Sequence, residues 1–302
     1  MLGITHGSVA AVIRASRPTI DVRDSAGRSA LHWAAVIGNL DVLNQILRCG
    51  GNPDLRDNEG RTAMHYAAET SAIECVMALI ASGAQPGPAD NWNQTPLHLA
   101  ARLGRNQNIR LLLRANTDVN ARNSNDESPL VYTVLSNNLA GVNILLCSGA
   151  DIELKSCRGY TALLDAIWAN AHDVTEELLA KGARHDAQGY DGMTVLHAAA
   201  EYGDIRTMEI LKDWAILAND TAPLNSDGLT PLDKLKQRVD MSDILVEAFG
   251  ALLMSVRTNK VANVGVPGTN LAVQVQHVGV PGTNPAAQVQ HVDRFVDAKE
   301  FQ

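Results

Sequence analysis

The phrase GRSALHWAAVIGN (Gly27–Asn39) returns as GRTAMHYAAETSA (Gly60–Ala72). The Ser or Thr inside it stands at Ser29, Thr62, Thr95, Ser128, Thr161 and Thr194, each 33 residues after the last. A seventh copy, DGLTPLDKL, has its Thr at Thr230 after a step of 36, so three residues are inserted between Asp213 and Asn225. A fixed period of this size constrains a chain strongly. Each copy is one small unit that cannot bury its own apolar face and becomes stable only when stacked on its neighbours. A catalytic signature normally occurs once; recurrence points to architecture.

One copy reads as a helical hairpin. In the third, Asp90–Gln94 is a polar turn, Thr95 suits a helix N-cap and Pro96 the first helical position. Leu97, Ala100 and Ala101 form the apolar face of a short helix ending near Gly104. A second helix around Gln107–Arg114 is expected to bury Ile109, Leu112 and Leu113. Asn116 stands where other copies have Gly50, Gly83, Gly149 and Gly182, a place that calls for left-handed backbone after a helix. The copies resemble the ankyrin-repeat family, whose unit carries T-P-L-H-x-A; NQTPLHLAARLG (Asn93–Gly104) matches best, and the resemblance spans about Ser8–Leu253. It implies an all-α ankyrin-repeat solenoid of stacked helix-turn-helix units with projecting β-hairpin fingers. It also implies a non-enzymatic protein–protein interaction scaffold or adaptor, binding a partner along its fingers and inner helices.

Bulk properties narrow the functional classes. Apolar residues make up 46% of the chain and aromatics only 4%, which suits thin, Ala- and Leu-rich helices packed closely. A formal charge of −8 argues against a nucleic-acid partner, whose binders usually present a basic patch. No apolar run reaches the roughly 18 residues a spanning helix needs, so no membrane partner is expected. The N-terminal stretch shows no signal-peptide pattern. Cys49, Cys75, Cys147 and Cys157 are scattered, as reduced thiols of a cytoplasmic or nuclear protein would be. There is no phosphate loop, nucleophile elbow or H-E-x-x-H, so neither an enzyme nor a cofactor site is expected.

The polar positions invite closer reading. His32, His65, His98 and His197 fall in different layers and cannot share one metal ion, whose ligands must all approach to about 2 Å. By resemblance they tie the inner-helix start to the neighbouring finger, a tie expected to be missing where Val131, Leu164 and Asp233 replace them. Asp165 and His172 are expected to be an exposed polar pair. Asn120 occupies a finger position hydroxylated in some ankyrin proteins, though a plain hairpin Asn is the simpler reading. Trp33, Tyr66 and Tyr132 follow the recurring phrase and read as half-buried core filling. Trp92, Tyr160 and Tyr190 fall in finger turns, and Trp168 and Tyr202 near the end of the inner helix. No core demands these five, which makes them candidate partner-binding anchors, since Tyr and Trp dominate interface hot spots. Asp165, Asp191 and Glu201 would rim them with acid, favouring a partner with basic residues around an apolar centre.

The chain is expected to divide into an incomplete half-repeat at 1–23, an array at 24–253 and a low-complexity segment at 254–302. The half-repeat suggests a fragment of a longer array, a late start or a degenerate cap. In the last segment VGVPGTNLAVQVQH is followed by VGVPGTNPAAQVQH, identical at twelve of fourteen positions, and this tail is expected to be disordered and dispensable. Repeats four and five lack the His and end their inner helices on Asn137 and Asn170, and are expected to be the least stable layers. Two other roles are compatible with the sequence: the targeting or regulatory part of a larger enzyme or signalling protein, and an accessory protein of a metabolic pathway. The second rests on the irregular repeats, which resemble those of filamentous-fungal ankyrin proteins.

Overall fold

The computed structural model describes residues 20–214 and 224–237, all within the first of two units, Met1–Lys260 and Val261–Gln302. The duplicated tail, the expected last helix Ser242–Leu253, most of the half-repeat and most of the three-residue insertion lie outside the described residues. Each repeat supplies an inner and an outer helix. In order they are α1 (Ala30–Ile37) and α2 (Leu40–Arg48), α3 (Ala63–Glu69) and α4 (Ile73–Ala81), α5 (Pro96–Arg102) and α6 (Asn106–Arg114). They continue with α7 (Pro129–Leu135) and α8 (Leu139–Cys147), α9 (Ala162–Trp168) and α10 (His172–Ala180), α11 (Val195–Tyr202) and α12 (Ile205–Asp213). The inner helix α13 (Pro231–Gln237) ends the described part. Inner helices pack on inner helices and outer on outer, in two parallel rows. Among the described residues no helix is long and apolar enough to cross a membrane.

The rows differ because their sequences do. Inner α5 is buried on every side from Pro96 to Ala101, sandwiched by α3, α7 and its own outer helix. Outer α6 buries only Asn108, Ile109 and Leu112, with Leu113 packed at the edge, and turns its arginines outward. Burying side chains such as Leu97 and Ile109 contributes roughly 1.5–3 kcal/mol each, the main force holding layers together. Asn116 adopts φ 63°, as its place among the glycines predicts.

The finger segments differ from the expected β-hairpins. Among the described residues none is in a strand. One backbone bond links each finger to the next, as from the Asn91 amide to the Glu59 carbonyl and from the Ser124 amide to the Trp92 carbonyl. Inside each finger the backbone is used up by a tight turn. The Asp90 carboxylate accepts from the amides of Trp92 and Gln94, and Asp57 does the same for Glu59 and Arg61. A side chain that mimics the backbone acceptor leaves little of it for a ladder. Asn120 forms a similar link between layers: its side-chain oxygen accepts the Asp151 amide at 2.8 Å.

Candidate partner-binding face

The recurring histidine fixes the inner helices. The Thr95 amide donates to His98 Nδ1 at 3.1 Å, and His98 Nε2 lies 3.1 Å from the Glu127 carbonyl of the next repeat. A backbone N–H is an obligate donor, so Nδ1 is bare and the ring proton sits on Nε2, donating across the layer boundary. The Thr95 hydroxyl lies 2.9 Å from Nδ1 and donates to it, while its oxygen faces the His98 amide as the expected cap. His32, His65 and His197 repeat the arrangement, reaching the carbonyls of Arg61, Gln94 and Leu229. Both ring nitrogens are committed in every case. Burial pushes His32 and His98 below the ordinary imidazole range and His65 down to about 4.

Where the histidine is replaced, the outcomes diverge. Asp233 restores half of the device, its carboxylate accepting from the Thr230 amide at 3.1 Å and hydroxyl at 2.7 Å. Asp233 thus keeps the cap, while the finger that a tie from it would reach lies outside the described residues. In repeat five Leu164 offers nothing, and the buried Thr161 hydroxyl has no hydrogen-bond partner.

The residue after the histidine faces the finger. Tyr66 is buried and donates to Asp57 Oδ2 at 2.6 Å; Tyr132, half-buried, donates to Glu127 at 3.0 Å. Trp33 departs from the core reading, being 43% exposed with its indole N–H donating to Asp24 at 2.9 Å. Arg28 lies between the Trp33 and Tyr66 rings, 5.3 and 5.2 Å from their centroids. Arg61 lies against Tyr66 and Trp92, at 5.9 and 5.8 Å. Repeats one to three thus carry an alternating guanidinium–ring stack, which the sequence reading missed. Its signal was the Arg in both GRS and GRT. Trp92, 47% exposed, belongs to this stack, leaning toward repeat two and away from repeats five and six.

The other four candidates come together. Trp168 meets Tyr202 edge to face, with centroids 6.0 Å apart. The Tyr160 ring covers Gly189, where an added Cβ would come within 2.5 Å of it, and the Tyr190 backbone and ring cover Gly159. Gly159 has φ 78° as well, so two separate constraints hold glycine there. Tyr160 donates to Asp191 at 2.6 Å and Tyr202 to Glu201 at 2.9 Å. The two halves sense each other electrostatically: Tyr202 acts on Tyr160, and the Asp191 charge acts on Tyr202. Burial and Glu201 push the Tyr202 phenol up to about 12. Tyr190 remains 73% and Tyr202 37% exposed.

The sequence model of the family described as ankyrin repeats (3 copies) matches residues 5–90, 31–123, 74–156 and 110–189, more than half of the chain. The chain belongs to the ankyrin-repeat family. Among solved structures it is similar to the human ASB11 ankyrin repeat domain, with TM-score 0.64 and 25% identity over 80% of this chain and 100% of that one. No curated protein matches.

In this ankyrin array the acidic rim is not uniform. Glu201 is paired with Lys234 at 3.1 Å, and Asp191 spends both oxygens on Tyr160 and the Met193 amide. Asp165 and His172 do not form the expected exposed pair. His172 lies 2.9 Å from Asp204 of the next repeat. Asp165 is half-buried in the slot that holds Trp33, Tyr66 and Tyr132 elsewhere, and burial, with help from the Glu127 charge, pushes it up to about 7. The ankyrin face therefore carries a carboxyl that changes charge near neutral pH. Ankyrin repeats are protein–protein interaction modules, and the finger and inner-helix side of repeats five and six carries this chain's four clustered aromatics.

Proposed function

We propose that this protein is a non-enzymatic scaffold that holds a protein partner through Tyr160, Trp168, Tyr190 and Tyr202. The observation that carries this reading is the preorganised cluster itself. Two rings sit on glycines, two meet edge to face, and two phenols are held by carboxylates, yet part of the surface stays open to solvent. Rigid aromatic side chains lose little entropy on binding, which is why they anchor interfaces. The favoured partner presents an apolar centre with basic residues around it, able to reach the unneutralised charge of Asp191. All four cysteines are free thiols, which supports a cytoplasmic or nuclear setting.

The test begins with affinity capture and mass spectrometry to identify a partner, followed by measured binding of that purified protein. Tyr160→Ala/Trp168→Ala should weaken it by about 2 kcal/mol or more for each anchor while the helical circular dichroism is kept. Tyr190→Ala, at an exposed position, should weaken it with no change in melting temperature. Undiminished binding by these variants would place the site elsewhere.

A further inference from the structure

A second surface lies on the opposite row, over the outer helices. A groove there is lined by Leu139 of α8, Asp173 and Glu176 of α10, and Ile210 and Asp213 of α12, with Trp214 just beyond. Trp214 is 44% exposed at the end of its helix. Glu176 is paired with Arg206, but Asp173 and Asp213 have no ion pair among the described residues. The groove thus combines apolar surface with uncompensated negative charge.

The charge is part of a larger asymmetry. Residues 20–122 hold ten Arg, no Lys and ten Asp or Glu; residues 123–237 hold eight Lys or Arg against 17 Asp or Glu. The C-terminal repeats alone therefore carry a formal charge of −9 against −8 for the whole chain, and the groove lies in them. Net charge of one sign steers an oppositely charged partner toward the surface that carries it.

We propose that this outer-helix groove is a second docking surface, taking a basic amphipathic segment of a partner protein. The segment's apolar residues cover Leu139 and Trp214, above buried Ile210, and its Arg or Lys side chains meet Asp173 and Asp213. A guanidinium also stacks favourably on an indole such as Trp214. The surface is independent of the finger-side aromatics, so one chain can hold two partners at once.

A fluorescent peptide of about twelve residues, with Leu and Arg at helical spacing, is the probe. Titrated into the full chain and followed by anisotropy, it should bind saturably, and a peptide with Glu in place of Arg should not. Asp173→Asn/Asp213→Asn/Trp214→Ala should weaken binding about tenfold or more, and Tyr160→Ala/Trp168→Ala should leave it unchanged. If the triple variant loses helical signal, Asp173→Asn/Asp213→Asn carries the same comparison. Equal affinity for wild type and the groove variants would overturn the proposal. Loss of binding in the finger variant would assign the peptide to that face instead. Self-association of the wild-type chain abolished by the groove variants would give the groove to a second copy and also overturn it.

Discussion

Protonating His65 would set an Nδ1–H against the Thr62 amide, two donors facing each other where the folded state has a hydrogen bond of 3.0 Å. The folded pKa near 4 lies below the ordinary 6.5, so the unfolded chain binds the proton first. The stabilisation from the neutral ring is complete above about pH 6.5 and is lost as pH falls toward 4, on the order of 3 kcal/mol for this residue. His32 and His98 add losses of the same sign. Thermal melts from pH 7.5 to 4.5 should show this loss, and a flat profile in the Asp165→Asn background described next would contradict it. Asp165 works the other way. Its pKa is raised from 3.8 to about 7, so its ionisation costs stability increasingly as pH rises through that window. Asp165→Asn should therefore stabilise the fold by roughly 2–4 kcal/mol at pH 8 and by almost nothing at pH 4. Equal melting temperatures at pH 8 would mean that the carboxylate is solvated after all. The odd residue was visible beforehand, because lining up the slot gives Trp33, Tyr66, Leu99, Tyr132, Asp165 and Ala198, with Asp165 the one charged residue among them. What the sequence could not show was how strongly its place in repeat five desolvates it.

At the scale of elements, periodicity made the hairpins, caps and turns readable, because every copy repeats the same local instructions. Asn137 and Asn170 carry φ 49° and 52°, so they end their helices much as glycine would. Gly203, at the same place in repeat six, is extended, and steric room explains the glycine: a Cβ would come within 2.5 Å of the Ala199 carbonyl. Asn170 is also no weak cap, since its side chain donates to the Tyr202 carbonyl and accepts from Thr207. Contacts that cross between elements left less trace. Inner helix α3 ends at Thr70 with no left-handed residue, and buried Asn108 of α6 donates to the Ala67, Ala68 and Thr70 carbonyls instead. An Asn inside a helix resembles any solvated polar residue until its neighbours are known. Asn108→Leu should cost about 1–3 kcal/mol by stranding those carbonyls, although it adds apolar volume. A melting temperature equal to wild type would show that water serves them as well.

Across the whole molecule the layers are not joined equally. Three histidines in a row clasp repeats one to four together, and then the clasp stops at Val131. Between repeats four and five the inner row gains no such bond, and the Glu127 and Asp165 charges oppose each other across the boundary. The orphaned Thr161 hydroxyl lies on the far side of it. Hydrogen exchange should therefore open first in residues 156–188, with α9 exchanging before α3 and α5; uniform protection along the described repeats would contradict this. The expectation for repeats four and five thus narrows to repeat five; of its two reasons the missing histidine remains, while the asparagine caps drop out. Direction matters as well. Each histidine reaches forward, donating to a carbonyl of the repeat that follows it. Removing the following repeat takes the acceptor from a ring that also caps its own helix, while removing the preceding one frees only a backbone carbonyl. A protein engineer shortening this chain would thus find the cut before Asn123 or before Asp90 punishing, and the cut before Ser156 forgiving. The array behaves like overlapping roof tiles, which lift cleanly from one side only and come apart most easily where courses were laid without their hooks.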